Sequence, residues 1–237
     1  MTRVGRLATD IDDSYNLKDS LNLAFVKHGI TDLGPGMRTV IWVQGCKKNC
    51  PGCVAPEHRP MDCGERKPCR ELIEEIQCNG GHSLTISGGE PLLQWKGLKR
   101  VIDGMPGMRA DGIILFTGYS VESDILPLMA ADPDFSDFIT SLKFVIDGEY
   151  IADLNDDRGL RGSSNQNLHM ICDGKLYRYM GGDRWISSDG SVISAEEPLG
   201  FGSRLRTSSI EMDLESMTIV GIPDKSTFDL WKKLKDD

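Results

Sequence analysis

The chain has 237 residues, of which 39% are hydrophobic and 27% charged, and its formal net charge is −9 at pH 7. This length and composition suit one globular α/β domain with a substantial core. The acidic balance, without a dense run of Lys and Arg, argues against nucleic acid as a partner. The apolar stretches are too short for a membrane span, and the N-terminus lacks the apolar segment of a signal peptide. We therefore expect a cytoplasmic protein that does not act at a membrane.

Strands and helices alternate in the first part of the chain. Strands are predicted where β-branched and aromatic residues cluster, and helices where apolar residues recur at helical spacing. In chain order these elements are a strand at 39–43, a helix at 68–77, a strand at 83–86, a helix at 93–102, a strand at 113–116, a helix at 122–131 and a strand at 143–146. Such alternation is typical of parallel βαβ units in an α/β fold.

The pattern changes to short strands after residue 151. Strands are predicted at 168–172, 175–180, 185–188 and 191–194, with Asp-Gly pairs at 173–174 and 189–190 that favour tight hairpin turns. A last pair of strands at 210–214 and 217–222 precedes a helix at about 228–234. We expect a single domain over 1–237, with a core at about 34–170 and a β-rich C-terminal extension at about 171–237.

Six of the seven cysteines fall between positions 46 and 78. In a cytosolic chain such clustering indicates metal or redox chemistry rather than structural disulfides. Cys46, Cys50 and Cys53 lie on one loop after a strand, where α/β folds build their active sites. Three thiolates would leave one iron of a 4Fe–4S cluster open, whereas Cys63 or Cys69 as a fourth ligand would complete a zinc site. The cysteines alone leave both readings open.

A second motif, Ser87-Gly88-Gly89-Glu90-Pro91, follows the next strand. Glycines let a backbone approach a ligand closely and expose its N–H groups. The Glu90 carboxylate can accept hydrogen bonds from an ammonium group. Alone, this motif is more often an ordinary βα turn, but its place one βα unit after the cysteine loop lets it meet the same ligand.

These motifs together resemble those of radical S-adenosylmethionine enzymes, in particular the small activating proteins of anaerobic ribonucleotide reductase. The resemblance covers about residues 30–170, and the end of the chain, Ile219-Val220-Gly221-Ile222-Pro223, is similar as well. The matching motifs are Gly34-Pro35-Gly36-Met37-Arg38, Gln44-Gly45-Cys46-x-x-x-Cys50-Pro51-Gly52-Cys53, Ser87-Gly88-Gly89-Glu90-Pro91, Thr117-Gly118-Tyr119, Ile146-Asp147-Gly148 and Arg161-Gly162-Ser163-Ser164-Asn165-Gln166.

The resemblance implies a partial, open (β/α) barrel and a specific chemistry. Cys46, Cys50 and Cys53 would hold a 4Fe–4S cluster, and one electron from it would cleave S-adenosylmethionine to methionine and a 5′-deoxyadenosyl radical. That radical would remove hydrogen from a glycine of a glycyl radical enzyme, and a flavodoxin or ferredoxin would supply the electron. The residues implied to contact the cofactor are Gly88, Gly89, Glu90, Thr117, Gly118, Arg161, Ser163 and Asn165, and we expect Lys143, which is not part of the family pattern, to contact the cofactor carboxylate.

The chain also departs from the family pattern. The Asn that usually follows shortly after the cysteines is replaced by Val54-Ala55-Pro56, and Lys143 stands where activating proteins commonly carry an acidic residue. The hairpin-rich stretch 173–208 is longer than expected and is the best candidate for altered specificity. Two other functions therefore remain open, a radical enzyme acting on a small molecule, nucleotide or peptide, and a zinc-binding protein without catalysis. The spacing of Cys63, Cys69 and Cys78 does not match that of a second cluster.

Overall fold

The computed structural model describes residues 5–80, 83–105, 107, 112–197, 199, 201, 208–212 and 217–236. Its strands are β1 (Ser20–Ile30), β2 (Arg38–Val43), β3 (Glu65–Pro68), β4 (Leu84–Gly88), β5 (Ile113–Phe116), β6 (Phe144–Asp147), β7 (Asn167–Cys172), β8 (Lys175–Tyr179), β9 (Arg184–Ser187), β10 (Val192–Ser194), β11 (Ser208–Met212) and β12 (Met217–Gly221). Its helices are α1 (Arg6–Asp10), α2 (Cys69–Cys78), α3 (Trp95–Asp103), α4 (Leu126–Ala131), α5 (Pro133–Thr140) and α6 (Lys225–Asp236).

Four parallel strands, β2, β4, β5 and β6, form the middle of a ten-stranded sheet with the order β10-β9-β8-β7-β6-β5-β4-β2-β1-β3. The helices α2, α3 and α5 pack their apolar faces on one side of these strands, and a second apolar cluster lies on the other side. The carboxyl ends of the four strands lie at one edge of the sheet, so the loops that follow them converge there.

The remaining strands of this sheet are antiparallel. On one side β1 pairs with β2 and β3, and on the other side β7, β8, β9 and β10 follow β6 as a meander. Asp173 and Gly174 have φ values of 48° and 73°. Positive φ at both central residues is typical of the type I′ turn that an Asp-Gly pair favours. The predicted hairpin extension therefore continues the main sheet, with β10 and β3 as the two edge strands.

The sequence predictions of strands β2, β4 to β10 and helices α2 to α4 are confirmed, with shifts of a few residues at their ends. The predicted pair at 210–222 forms a separate two-stranded sheet of β11 and β12, and residue 214 lies outside the described part. The α/β class is confirmed, and the main sheet is not closed on itself. The predicted helix at about 228–234 is confirmed as α6, whereas strands β1 and β3 and helices α1 and α5 were not predicted. In the described part of the chain no helix is long and apolar enough to cross a membrane.

The Arg38 side chain is buried and ties together the amino ends of the parallel strands. Its guanidinium donates hydrogen bonds to the Thr85 hydroxyl at 2.7 Å and to the carbonyl oxygens of Leu84 at 2.6 Å and Gly112 at 2.8 Å. Burial lowers the pKa of Arg38 to about 10, which leaves it charged at neutral pH. Arg38 thus fixes the end of the sheet opposite to the cysteine loop.

Candidate functional site

The cysteine loop begins directly after β2 and is anchored by backbone hydrogen bonds. The N–H groups of Gly45 and Cys46 donate to the carbonyl oxygens of His58 at 2.8 Å and Arg59 at 2.9 Å. Gly45 has a φ of 94°, and a Cβ atom there would lie 2.0 Å from the Tyr15 hydroxyl. Only glycine fits this bend, so local geometry fixes where the loop leaves the sheet.

The Cys46, Cys50 and Cys53 thiols are free and partly buried. Burial raises the pKa of Cys46 to about 12 and also raises the pKa values of Cys50 and Cys53. A thiol in such surroundings releases its proton to solvent when a metal binds, since the positive charge of the metal offsets the cost of burying a thiolate. The donor set therefore suits metal binding more than disulfide exchange.

The other cysteines of the described chain do not join this loop. Cys63 and Cys78 are exposed, and the buried Cys69 thiol donates to the carbonyl oxygen of Gly97 at 3.5 Å in the core beside α3. Cys50 and Cys53 both contribute to raising the pKa of the Cys46 thiol, so the three loop thiols lie close together. Three neighbouring thiolates can hold three irons of a 4Fe–4S cluster and leave the fourth iron open. The residues present fit the cluster.

The Gly88-Gly89-Glu90 turn is bonded directly to the cysteine loop. The Gly89 N–H donates to the Val43 carbonyl oxygen at 2.8 Å, and the Glu90 N–H donates to that of Gly45 at 2.9 Å. A Cβ atom on Gly88 would lie 2.4 Å from the Val43 carbonyl oxygen, and one on Gly89 would lie 2.4 Å from that of Gly45. Glycine is needed here because the two loops touch through their backbones.

The Glu90 carboxylate is 1% exposed and accepts three hydrogen bonds. Oε1 accepts from the Leu92 N–H at 3.0 Å and the Thr117 hydroxyl at 2.8 Å, and Oε2 accepts from the Gly118 N–H at 2.8 Å. Burial nevertheless raises its pKa to about 7. A carboxylate offers about four acceptor positions, so one position on Oε2 remains for a further donor.

A cleft of about 470 Å³ opens beside this edge of the sheet. Its lining includes Gly118 after β5, Gly148 and Glu149 after β6, and Lys48 from the cysteine loop. The cleft therefore borders the loops of three parallel strands, the position at which open α/β sheets bind ligands.

The structure brings together only part of the predicted set. Gly88, Gly89, Glu90, Thr117 and Gly118 lie at the cysteine loop, as the hydrogen bonds above show. Lys143 is exposed and precedes β6, at the opposite end of that strand, so the structure does not bring it to the site.

The loop that contains Arg161, Ser163 and Asn165 wraps around the segment after β6. The buried Ser163 hydroxyl accepts from the Ile151 N–H at 3.1 Å, and the Asn165 amide donates to the Glu149 carbonyl oxygen at 2.8 Å. Arg161 instead pairs with Asp156 and stacks over the Phe201 ring at 5.2 Å. These side chains position neighbouring backbone more than they line the cleft.

Lys48 was not among the predicted cofactor contacts, yet it lies in the cleft. Its side chain is 7% exposed, and its ammonium is 3.0 Å from Glu149 Oε1 and 4.0 Å from the centre of the Tyr119 ring. The position of Lys48 between two of the cysteines was the available sequence signal. The direction in which its side chain turns could not be read from that signal.

Glu122, Asp147 and His169 form a separate group of potential metal ligands among the described residues. The three side chains already have partners within the protein. The Asp147 carboxylate accepts from the Val121 N–H at 2.6 Å and lies 3.5 Å from His169 Nε2, while Glu122 lies 3.5 Å from Arg178. These bonds fix the start of the helical turn after β5.

The chain is similar in sequence to proteins of known function. A family model described as a 4Fe-4S single cluster domain matches residues 33–169, more than half of the chain. Together with the relatives below, this shows that the chain belongs to the radical S-adenosylmethionine activating-enzyme family, whose cofactors are a 4Fe–4S cluster and S-adenosylmethionine. The chain is therefore an enzyme of the oxidoreductase class.

The chain is 31% identical over 152 residues to the anaerobic ribonucleoside-triphosphate reductase-activating protein of Escherichia coli K12, with 58% of this chain and 91% of that relative covered. Identity to the protein of the same name from Enterobacteria phage T4 is 29% over 148 residues, covering 60% and 88%. A pyruvate formate-lyase-activating enzyme of Listeria monocytogenes is 34% identical over 68 residues, covering 26% and 27%. The first two matches leave about two fifths of this chain without a counterpart.

Proposed function

We propose that this protein activates a glycyl radical enzyme by removing hydrogen from a backbone glycine of that partner. The relatives named as activating proteins support this proposal. The observation that carries it is the pair of hydrogen bonds from the Gly89 N–H to Val43 at the end of β2 and from the Glu90 N–H to Gly45 of the cysteine loop. They join a thiol donor set and an acidic turn into one site.

In this proposal Cys46, Cys50 and Cys53 hold the cluster. When bound, the cluster supplies the single electron that cleaves the sulfonium of S-adenosylmethionine. The free acceptor position of Glu90 attracts the methionyl ammonium, and Thr117 and Gly118 keep the carboxylate in place through their hydrogen bonds.

The remaining parts of the proposal concern fold and cell context. We propose a partial, open (β/α) barrel built on β2, β4, β5 and β6, acting as one domain because β7 to β10 continue the same sheet. A small low-potential reductant such as a flavodoxin or ferredoxin would deliver the electron. The seven free cysteines support work in the reducing cytoplasm.

The experiment uses protein reconstituted with iron and sulfide without oxygen, reduced with dithionite and supplied with S-adenosylmethionine. Release of 5′-deoxyadenosine is measured with and without a glycyl radical protein encoded beside this chain, and the partner is examined by electron paramagnetic resonance. We expect a partner-dependent glycyl radical. Cleavage that a metabolite accelerates, with no radical on any protein, would contradict activation of a glycyl radical enzyme.

A second candidate function is a radical enzyme that acts on a small molecule, nucleotide or peptide. One observation favours it, since the matched region ends at residue 169 and β8, β9 and β10 lie beyond it. These strands pack Tyr177 and Trp185 into the second apolar cluster beside Phe144 and Met170. Because β8, β9 and β10 contribute to the core, they can change the shape of a substrate-binding surface.

A further inference from the structure

The buried ammonium of Lys48 has only one carboxylate bonded to it among the described residues. Lys48 is 6% exposed, and its ammonium donates a hydrogen bond to Glu149 Oε1 at 3.0 Å. A buried ammonium costs free energy unless it is paired, and it can donate three hydrogen bonds. The Tyr119 ring, 4.0 Å away, attracts the charge but accepts no ordinary hydrogen bond. The site therefore has capacity for another anionic acceptor.

Lys48 and Glu90 flank the same glycine. A Cβ atom on Gly118 would lie 3.4 Å from Glu90 Oε2 and 3.5 Å from Lys48 Cγ. Gly118 lines the cleft, and both the Glu90 carboxylate and the Lys48 side chain lie next to it. Opposite charges placed side by side complement an α-amino acid group, which carries one ammonium and one carboxylate. The methionyl end of S-adenosylmethionine is such a group.

The ion pair between Glu149 and Lys48 can be broken at a small cost in free energy. Its side chain is 46% exposed, and its Oε1 atom also lies 3.6 Å from Arg6 Nη1. A half-exposed glutamate that is shared between two cations loses little free energy when it keeps only one of them. An incoming carboxylate can therefore replace Glu149 at Lys48 while Glu149 stays paired with Arg6.

The two cations first expected to meet the cofactor are held elsewhere. Lys143 lies at the far end of β6, and Arg161 is engaged by Asp156 and Phe201. Lys47, the neighbour of Lys48, donates to the Asp10 carbonyl oxygen from an exposed position. Of the two cations among the described residues that line the cleft, Arg6 is 56% exposed at its side chain and Lys48 is buried.

We propose that Lys48 binds the methionyl carboxylate of S-adenosylmethionine, and that Glu149 occupies Lys48 until the cofactor arrives. This assignment rests on the proposed function, because it takes S-adenosylmethionine as the ligand of the cleft. It makes Lys48 a positioning residue that orients the cofactor by charge. It also explains why the chain places a lysine between two cysteines and turns it inward.

The test compares S-adenosylmethionine with its decarboxylated analogue, which keeps the amine and sulfonium but lacks the carboxylate. Dissociation constants are measured by calorimetry on the cluster-loaded protein and on Lys48→Met, Lys48→Arg and, as matched control, Lys47→Met. We expect the preference of the native protein for the carboxylate-bearing ligand to fall about tenfold or more in Lys48→Met. It should persist in Lys47→Met and largely in Lys48→Arg. An unchanged preference in Lys48→Met overturns the assignment.

A second variant tests the role of Glu149 without altering Lys48. Glu149→Gln removes the competing carboxylate, so the affinity for S-adenosylmethionine should rise severalfold, while an unchanged or lower affinity contradicts the exchange. This variant also decides the matter where Lys48→Met fails to retain its cluster. If the native protein binds no S-adenosylmethionine at all, the proposed function itself fails. If it binds while both variants behave as the native protein does, only the assignment of Lys48 fails.

Discussion

The Glu90 N–H donates a 2.9 Å hydrogen bond to the carbonyl oxygen of Gly45, the residue directly before Cys46. The acidic turn and the cysteine loop are therefore one backbone unit, although 45 positions separate these two residues in the sequence. A shift of either loop moves the other. The geometry of the site thus depends on glycines that carry no chemistry of their own.

Replacement of Gly89 tests this dependence. In Gly89→Ala the new Cβ atom would lie 2.4 Å from the Gly45 carbonyl oxygen and 2.6 Å from that of His58. Both are backbone atoms, so relieving these contacts requires the backbone to shift. We expect a loss of ~2 kcal/mol or more in the free energy of unfolding and a lower iron content. Gly107→Ala, where the Cβ atom meets nothing within 4 Å, is the control. Urea denaturation measures the stability of both variants, and iron analysis measures their iron content. Equal stability of the two variants would contradict the prediction.

The three loop cysteines should be separable from the others by iron content. We expect Cys46→Ala, Cys50→Ala and Cys53→Ala each to lose most of the iron and sulfide bound after anaerobic reconstitution, because each removes a thiolate ligand. The exposed Cys63 and Cys78 provide matched controls, and their alanine variants should load fully. Stoichiometric zinc in the native protein, or equal loss in the Cys63 variant, would argue for a different site.

Arg38→Lys keeps the positive charge but cannot reproduce the planar array of donors. The carbonyl oxygens of Leu84 and Gly112 would lose their partner inside the protein. We expect the free energy of unfolding to fall by ~2–4 kcal/mol, with normal iron loading because the change lies at the far end of the sheet. Arg70→Lys, at a side chain that is 80% exposed, should stay within ~0.5 kcal/mol. A chemical denaturation series distinguishes the two.

The pH dependence of stability should carry a contribution from Glu90. Burial raises the pKa of its carboxyl from 4.5 to about 7, so between these values the folded cluster-free protein binds more protons than the unfolded chain. Its contribution to stability is therefore present below about pH 4.5 and is lost as the pH rises through about 7, by roughly 3 kcal/mol. The native protein should therefore lose stability relative to Glu90→Gln as the pH rises over this range. A constant difference from pH 5 to 8 would contradict the raised pKa.

The parallel core could be predicted from the sequence because each strand is short, apolar and bounded by turn residues. Strand β1 was missed because its pairing with β2 contains register shifts between Leu23 and Phe25 and between Lys27 and Ile30, which break regular alternation. Helix α5 did carry a readable signal, since Asp132 accepts from the N–H groups of Asp134 and Phe135 and Pro133 takes the first helical position.

The candidate site was predictable where backbone chemistry determines it and not where side-chain direction does. The glycines and Glu90 follow from their place after strands. The sequence predicts Lys143 as a cofactor contact, but Lys143 precedes β6, and a strand of four residues spans ~13 Å. To predict Lys48 as a residue of the cleft, one would need to know that its charged side chain turns inward from the cysteine loop and packs against the Tyr119 ring. Propensity and spacing contain neither fact.

The two edge strands of the large sheet have a further consequence for how the protein behaves at high concentration. The unpaired N–H and C=O groups of an edge strand can recruit another chain into an aggregate. Strand β3 reads Glu-Arg-Lys-Pro, so it combines charges with a residue that cannot donate, and β10 is only three residues long. Both edges are thus poor templates for intermolecular pairing, which disfavours aggregation through the edges of the unclosed sheet.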